Sequence, residues 1–215
     1  FNRTLLASLR WFDRFRERPL AVGAAVGATV GLVGWFLPAA LGGGGKLVEA
    51  TLTGRVALTA LPALLLLRFA LTMGSYGSGA AGGIFAPLLV IGAQTGLLVG
   101  LIAQRLLPSL VQHPTAFAVV GMGALFAAIV RAPLTAIVLI LEMTENYSLM
   151  LPLLLACFLA YLFADVLRDE PIYEALLERD LRRSQDKAEL EGTLLLDLVV
   201  QPGAATPAFA VTSVK

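Results

Sequence analysis

Positions 74 to 87 read Gly74, Ser75, Tyr76, Gly77, Ser78, Gly79, Ala80, Ala81, Gly82, Gly83, Ile84, Phe85, Ala86, Pro87. Four glycines fall between positions 77 and 83, at the head of an apolar run from Ile84 to Leu107. Glycine tolerates backbone conformations that other residues resist. Pro87 lies in what would be the first helical turn, where its missing N–H costs nothing. The N-terminus of a helix presents four peptide N–H donors without intrahelical partners. Water would satisfy them at a surface; inside lipid they need an acceptor, and an anion is the natural one. Such a site is positive without a lysine, so it can hold an anion without the trap of a full charge. The competing reading of the glycines is a loop that lets two helices cross.

The rest of the chain says which medium surrounds this segment. Of 215 residues, 58% are hydrophobic and only 14% charged, where a soluble domain carries about a quarter charged. Residues 69–104 contain no Asp, Glu, Lys or Arg, whereas residues 166–191 hold thirteen of the thirty-one in the chain. Charges gathered at the ends of apolar blocks predict a multi-pass membrane protein, with the lipid bilayer as its solvent. The net charge is +1, and the basic residues stand beside acidic ones, so no nucleic-acid partner is expected. Cys157 is the only cysteine and His113 the only histidine. That excludes an intrachain disulfide, a thiolate cluster and a multi-histidine metal site. Cys157, inside an apolar run, reads as a small buried hydrophobe. No cofactor and no enzymatic activity are expected. Serines among glycines raise the thought of an intramembrane protease, but that motif needs glycine two residues before the serine, and Tyr76 precedes Ser78 there.

The elements that would position the glycine-rich segment form an all-α membrane protein, a bundle of tilted and broken transmembrane helices. Residues 1–18 read as the end of a basic helix at the cytoplasmic face, with Arg3, Arg10, Arg14, Arg16 and Arg18 against Asp13 and Glu17. With Phe1 in place of Met and no signal peptide, the chain is expected to be a piece of a longer protein. Residues 19–166 hold the membrane part. Leu20 to Leu41 carries Gly23, Gly27, Gly31 and Gly34 on one helical face, a stripe that predicts close helix packing. Val56 to Met73 contains Pro62, expected to kink it, and Arg68, which as an intramembrane arginine raises a functional role but, near the run's end, is expected to snorkel or cap. Further runs cover Ile84 to Leu107, Thr115 to Val130, Ala132 to Leu141 and Tyr147 to Ala164. Ala132 to Leu141 has ten residues, too few for a span that needs about 20. Such pieces sit at membrane depth only when buried by protein or lining a cavity, and they point to a transporter's binding site. Glu142 reads as a residue of a helix end near a boundary, with a proton relay as the alternative for a carboxylate after ten apolar residues. Residues 167–191 form a final charged cytoplasmic helix, which Gly192 is expected to break. Residues 192–215 then start a truncated cytoplasmic regulatory domain or a disordered tail, with Thr193 to Val200 as a β-strand and Gln201, Pro202 and Gly203 as a turn.

The order of residues in these segments resembles the CLC family of chloride channels and chloride/proton antiporters, bacterial type. Gly83-Ile84-Phe85-Ala86-Pro87 is similar to its G-x-F-x-P signature. Gly121 to Thr135, continuing through Glu142 to Tyr147, resembles its next pattern at the right distance. Gly42 to Gly44 and Pro171-Ile172-Tyr173 add to it, so that the likeness covers roughly residues 1–185. The resemblance implies the C-terminal half of the CLC inverted-repeat fold. It implies that the backbone N–H groups of Ile84 and Phe85 coordinate a chloride ion, with Gly82, Gly83, Ala86 and Pro87 shaping the loop. The hydroxyl of Tyr173 would reach the same ion from the cytoplasmic side, and a phenol donates without adding charge. It further implies a homodimer, with Leu149, Met150 and Leu153 on this chain's share of the interface. The partners are then chloride, the bilayer, a second copy and the N-terminal half of the same protein.

In the family, the gating and proton-transfer glutamates belong to that N-terminal half. The expectation is chloride transport, as chloride/proton antiport because the sequence looks prokaryotic, so that protons join chloride as transported ions. A passive voltage- or ligand-gated chloride or fluoride channel of the same family stands as the alternative. A broken-helix carrier for another anion stands more distantly.

Overall fold

The computed structural model describes residues 1–15, 17–41, 44–79 and 82–200. Every regular element among them is helical. In chain order these are α1 (Asn2–Asp13), α2 (Pro19–Phe36), a 3-10 turn (Pro38–Ala40), α3 (Gly45–Leu52), α4 (Leu61–Gly77) and α5 (Phe85–Leu106). After them come α6 (Thr115–Val130), α7 (Pro133–Thr144), a second 3-10 turn (Tyr147–Leu149), α8 (Met150–Val166) and α9 (Ile172–Val200). The chain divides into two compact units, Phe1–Tyr173 and Glu174–Lys215.

Among the described residues, three helical stretches are long and apolar enough to cross a membrane: Pro19–Phe36, Phe85–Leu106 and Tyr147–Val166. At 22 residues, α5 rises about 33 Å. The 12 residues of α7 rise only about 18 Å, so it cannot span alone. Proline sets several helix starts: Pro19 opens α2, Pro62 stands in the first turn of α4 and Pro133 opens α7. The expected kink at Pro62 is therefore absent. Residues 58–60 lie in turns before the helix, and proline stands where its ring is tolerated best.

The core of the first unit is made by α5, α6, α7 and α8. Leu89, Ala93 and Leu97 of α5 meet Ala118, Met122 and Phe126 of α6, and Ile137 and Ile140 of α7 close the cluster. Cys157 is buried in the same cluster, as its apolar run predicts. Glycine lets α5 and α6 approach to backbone contact. A Cβ on Gly92 would stand 2.7 Å from the carbonyl oxygen of Gly121 and 2.8 Å from Met122 Cα. A Cβ on Gly121 would stand 2.8 Å from Gly96 Cα. Among the described residues, the stripe expected to pack, on α2, meets a neighbour only at Gly34, against the Leu41 side chain. No residue of α2 is buried, and nothing lies within 4 Å of a Cβ built on Gly23, Gly27 or Gly31.

Two further expectations are corrected. Leu153 does not face outward: it is fully buried, against Gly123 of α6. One turn apart, Leu153 and Cys157 share the inner face of α8, which leaves the outer face to residues such as Leu151, Leu155 and Leu159. Thr193 to Val200 is not a strand, because α9 runs unbroken through Gly192 to Val200. Extending an existing helix past one glycine costs about 1 kcal/mol, whereas a lone strand has no partner for its backbone groups. The turn expected at Gln201 to Gly203, with the rest of the tail to 215, lies outside the described residues, as do Arg16, Gly42, Gly43, Ala80 and Ala81.

In the second unit, ten of the eighteen residues of α9 from Glu174 to Glu191 are charged. Arg182 donates through Nη2 to Glu178 Oε1 at 2.7 Å, one turn back along the helix.

Candidate anion site

Helix α4 ends in glycine and serine rather than in a charged residue. Ser78 donates its hydroxyl to the Ser75 carbonyl at 2.7 Å, and Gly79 has φ 79°, in the left-handed region that glycine favours. The chain then reaches Gly82 and Gly83, which are exposed, and Ile84, which is 1% exposed and precedes the first turn of α5. The N–H of Leu88 donates to the Ile84 carbonyl at 3.1 Å and starts the ladder. No side chain caps this end, and Pro87 has no N–H to offer. Among the described residues, the peptide N–H groups of Ile84, Phe85 and Ala86 accordingly have no protein acceptor. They form one cluster of aligned donors at the positive end of a 22-residue helix.

Cavities open on both sides of this first turn. A cleft of about 180 Å³ is lined by Gly82, Gly83, Ile84 and Pro87 together with Arg68, Thr72 and Ser75. A larger cavity of about 910 Å³ is lined by Phe85 and Ala86 together with Glu49, His113 and Asn146. The Phe85 ring is held edge-on against Phe126, with centroids 5.5 Å apart. This contact ties the first turn of α5 to α6.

Arg68 lines this site, in keeping with the functional role that an arginine at membrane depth raises. It caps, as expected: its Nη1 donates to the Ala40 carbonyl at 2.8 Å, closing the 3-10 turn. It also lines the smaller cleft while only 5% exposed. Gly44 makes room for it, since a Cβ there would stand 3.0 Å from Arg68 Nη2, at φ 78°. The guanidinium thus adds a buried positive charge to the peptide dipoles. The signal was present in the sequence: Arg68, Thr72, Ser75 and Tyr76, at spacings of four, three and one, put a polar stripe on one face of α4, and all four line the cleft.

Tyr173 is the second residue of α9, half exposed, and is not among the residues lining either cavity. The segment before it is firmly held. Arg131 donates to the Asp169 carbonyl and Asn2 to the Glu170 carbonyl, and Ile172 is fully buried. Of the interface candidates, Met150 is exposed, Leu149 half-buried and Leu153 internal. Glu142 is exposed near the end of α7.

With this geometry in view, comparison with known proteins is informative. The family model described as voltage gated chloride channel matches residues 1–165. The H(+)/Cl(-) exchange transporter ClcA of Vibrio parahaemolyticus is 44% identical over 178 residues, 81% of this chain and 38% of the relative. ClcA of Salmonella typhimurium is 40% identical over 195 residues, 89% of this chain and 41% of the relative. Among solved structures, a slow cyanobacterial Cl-/H+ antiporter superposes with a TM-score of 0.80 at 42% identity, covering 86% of this chain and 44% of that one. The chain spans about two fifths of the length of the curated relatives it matches.

Proposed function

This chain belongs to the voltage gated chloride channel family, and on that premise we propose that it supplies the anion-holding part of a chloride/proton antiporter. One observation carries the reading: the uncapped peptide donors of Ile84, Phe85 and Ala86, aligned at the head of α5 with a cavity on either side. A chloride ion there accepts N–H bonds from the first turn, while a phenol adds one further donor without net charge. Tyr173 is that donor in this reading, delivered by the start of α9. Neutral donors keep the ion bound weakly enough to leave, and Arg68 nearby raises the local anion concentration. The curated relatives are named as exchangers of H(+) and Cl(-), which supports exchange over passive conduction.

The same proposal includes a homodimer in the inner membrane, completed by the remainder of the transporter. The outer face of α8 is its contribution to lipid or a second copy, through residues such as Leu151 and Leu155. Transport involves no covalent step, so the protein is not an enzyme.

The test uses the protein that carries this chain, purified and reconstituted into vesicles. A chloride gradient should drive protons uphill. Tyr173→Ala should weaken chloride binding about tenfold, the loss of one hydrogen bond to a charged ligand, and loosen the proton-to-chloride ratio. Unaltered affinity and ratio in that variant would remove Tyr173 from the site. Chloride flux without any uphill proton movement in the wild type would instead support a passive channel of the same family.

A further inference from the structure

The residues that hold Tyr173 in place lie far from it in sequence, and one of them stands out. Arg131 ends α6 in the left-handed region, at φ 65°. Glycine is the residue ordinarily favoured there, so an arginine at this position calls for a side-chain role. Its side chain is 11% exposed, and its contacts converge on one place. Nη1 donates to the Tyr161 carbonyl of α8 at 2.9 Å, and Nη2 donates to the Asp169 carbonyl at 2.7 Å. The guanidinium lies 5.5 Å over the Tyr161 ring, and Nη1 is 3.8 Å from Asp165 Oδ1. One planar fork therefore ties three pieces together: the end of α6, the last turns of α8 and the linker to α9.

That linker needs tying. Arg168 also adopts a left-handed conformation, φ 50°, and the chain reverses there between α8 and α9. The N–H groups of Arg168 and Asp169 donate back to Asp165 and Ala164, but these bonds only close the turn. What fixes the far side is Arg131 on the Asp169 carbonyl and, from the other flank, Asn2. The Asn2 Nδ2 donates to the Glu170 carbonyl at 2.8 Å, and Arg3 Nε lies 3.7 Å from Asp169 Oδ1. Pro171 then restricts Glu170 to extended backbone, Ile172 is buried, and Tyr173 follows.

We propose that Arg131 is a positioning residue for the anion site: its two-pronged grip on the Tyr161 and Asp169 carbonyls sets where α9 begins, and with it where the Tyr173 hydroxyl stands. The proposal rests on Tyr173 being the phenol donor argued above. Arg131 touches no anion in this account. It acts through four residues of backbone, and its effect must vanish when the phenol is gone.

A double-mutant cycle on the purified protein that carries this chain tests it, read by calorimetric chloride titration and by the proton-to-chloride ratio in vesicles. Arg131→Lys keeps the charge but can reach only one of the two carbonyls. Arg131→Gly removes the grip while relaxing the backbone. Both should weaken chloride binding about fivefold, the scale of one net hydrogen bond. In a Tyr173→Ala background the same changes should cost less than about twofold, because residues acting in series are not additive. An equal loss with and without the phenol overturns the proposal. So does wild-type affinity in both Arg131 variants, even if their thermal midpoint falls, since Arg131 would then be structural only. If Tyr173→Ala alone leaves affinity intact, it is the assignment of Tyr173 that has failed, and the positioning role with it. Should neither Arg131 variant fold, Asn2→Ala carries the cycle by releasing the Glu170 carbonyl. Its expected loss is about two- to threefold in the wild type and none without Tyr173, and no loss in the wild type counts against the proposal.

Discussion

Glycines recur at Gly23, Gly27, Gly31 and Gly34 along α2 and at Gly92, Gly96 and Gly100 along α5. In α5 each of the three would drive a Cβ into α6 or the turn before it: Gly92 into Gly121, Gly96 into the Phe117 carbonyl, Gly100 into Pro114 and Phe117. In α2, three of the four would meet nothing, and Gly34 meets only the flexible tip of Leu41. Spacing alone does not separate the two stripes, since both place small residues on one helical face. Their partners do. Helix α6 offers its own glycines, Gly121 and Gly123, against α5 and α8, so close approach is matched from both sides. Helix α2 has no such counterpart among the described residues. A stripe of small residues is thus a permission to pack, and a second smooth surface converts it into contact.

The largest effect expected from this contrast is at Gly96. Gly96→Ala places a methyl against the Phe117 carbonyl carbon, 2.8 Å away, and against Ala118 Cα at 3.1 Å. Both are backbone atoms and cannot swing aside. Separating α5 from α6 should destabilise the protein by about 2–3 kcal/mol, even though alanine is the better helix former. Thermal unfolding in detergent would show a lowered midpoint. A midpoint at or above wild type would mean that the α5–α6 seam is looser than these contacts require.

An intermediate effect, of opposite sign, is expected on the same helix. Gln94 is fully buried, and neither Oε1 nor Nε2 has a hydrogen-bond partner among the described residues. A buried amide without partners costs about 1–3 kcal/mol, so Gln94→Leu should raise the unfolding midpoint. Helix α5 is thus intolerant of added bulk at glycine and relieved by lost polarity at Gln94. A lower midpoint in Gln94→Leu would show that the amide has a partner in the assembled transporter.

The membrane class, the broken helices and the α5 head were legible because local chemistry dictates them. Charge exclusion over 69–104 reports the solvent, and Pro133 beside a ten-residue run forces a short helix. The order Gly83 to Pro87 marks a helix start with no side chain to cap it. What was not legible depends on partners distant in the chain. Leu153 looks outward-facing until Gly123 supplies a hole for it, and α2 looks packed until its neighbours are counted. Thr193 to Val200 carries leucine and valine that suit a strand, and only the helix already running from Ile172 decides otherwise, since propagation is easier than nucleation. The hold on the linker before Tyr173 joins residues 2, 131 and 169, separations over which no periodicity reports. Arg68 lies between these cases: its polar stripe on α4 was visible, but its cleft required the fold.

The smallest effect is expected at the α2 stripe. Replacing Gly23, Gly27 and Gly31 together by alanine adds three methyls where nothing stands within 4 Å. Glycine in a helix interior is worse than alanine by about 0.5–1 kcal/mol, and backbone bonding in lipid leaves part of that difference. The triple variant should therefore be as stable as the wild type or slightly more so, by at most about 2 kcal/mol if the substitutions add. The same detergent melts read it, beside Gly96→Ala as the reference for a packed glycine. A fall as deep as that of Gly96→Ala would identify the α2 stripe as a second close-packed seam, made with a surface beyond this chain. The two stripes would then differ only in where their partner resides, and not in whether they have one.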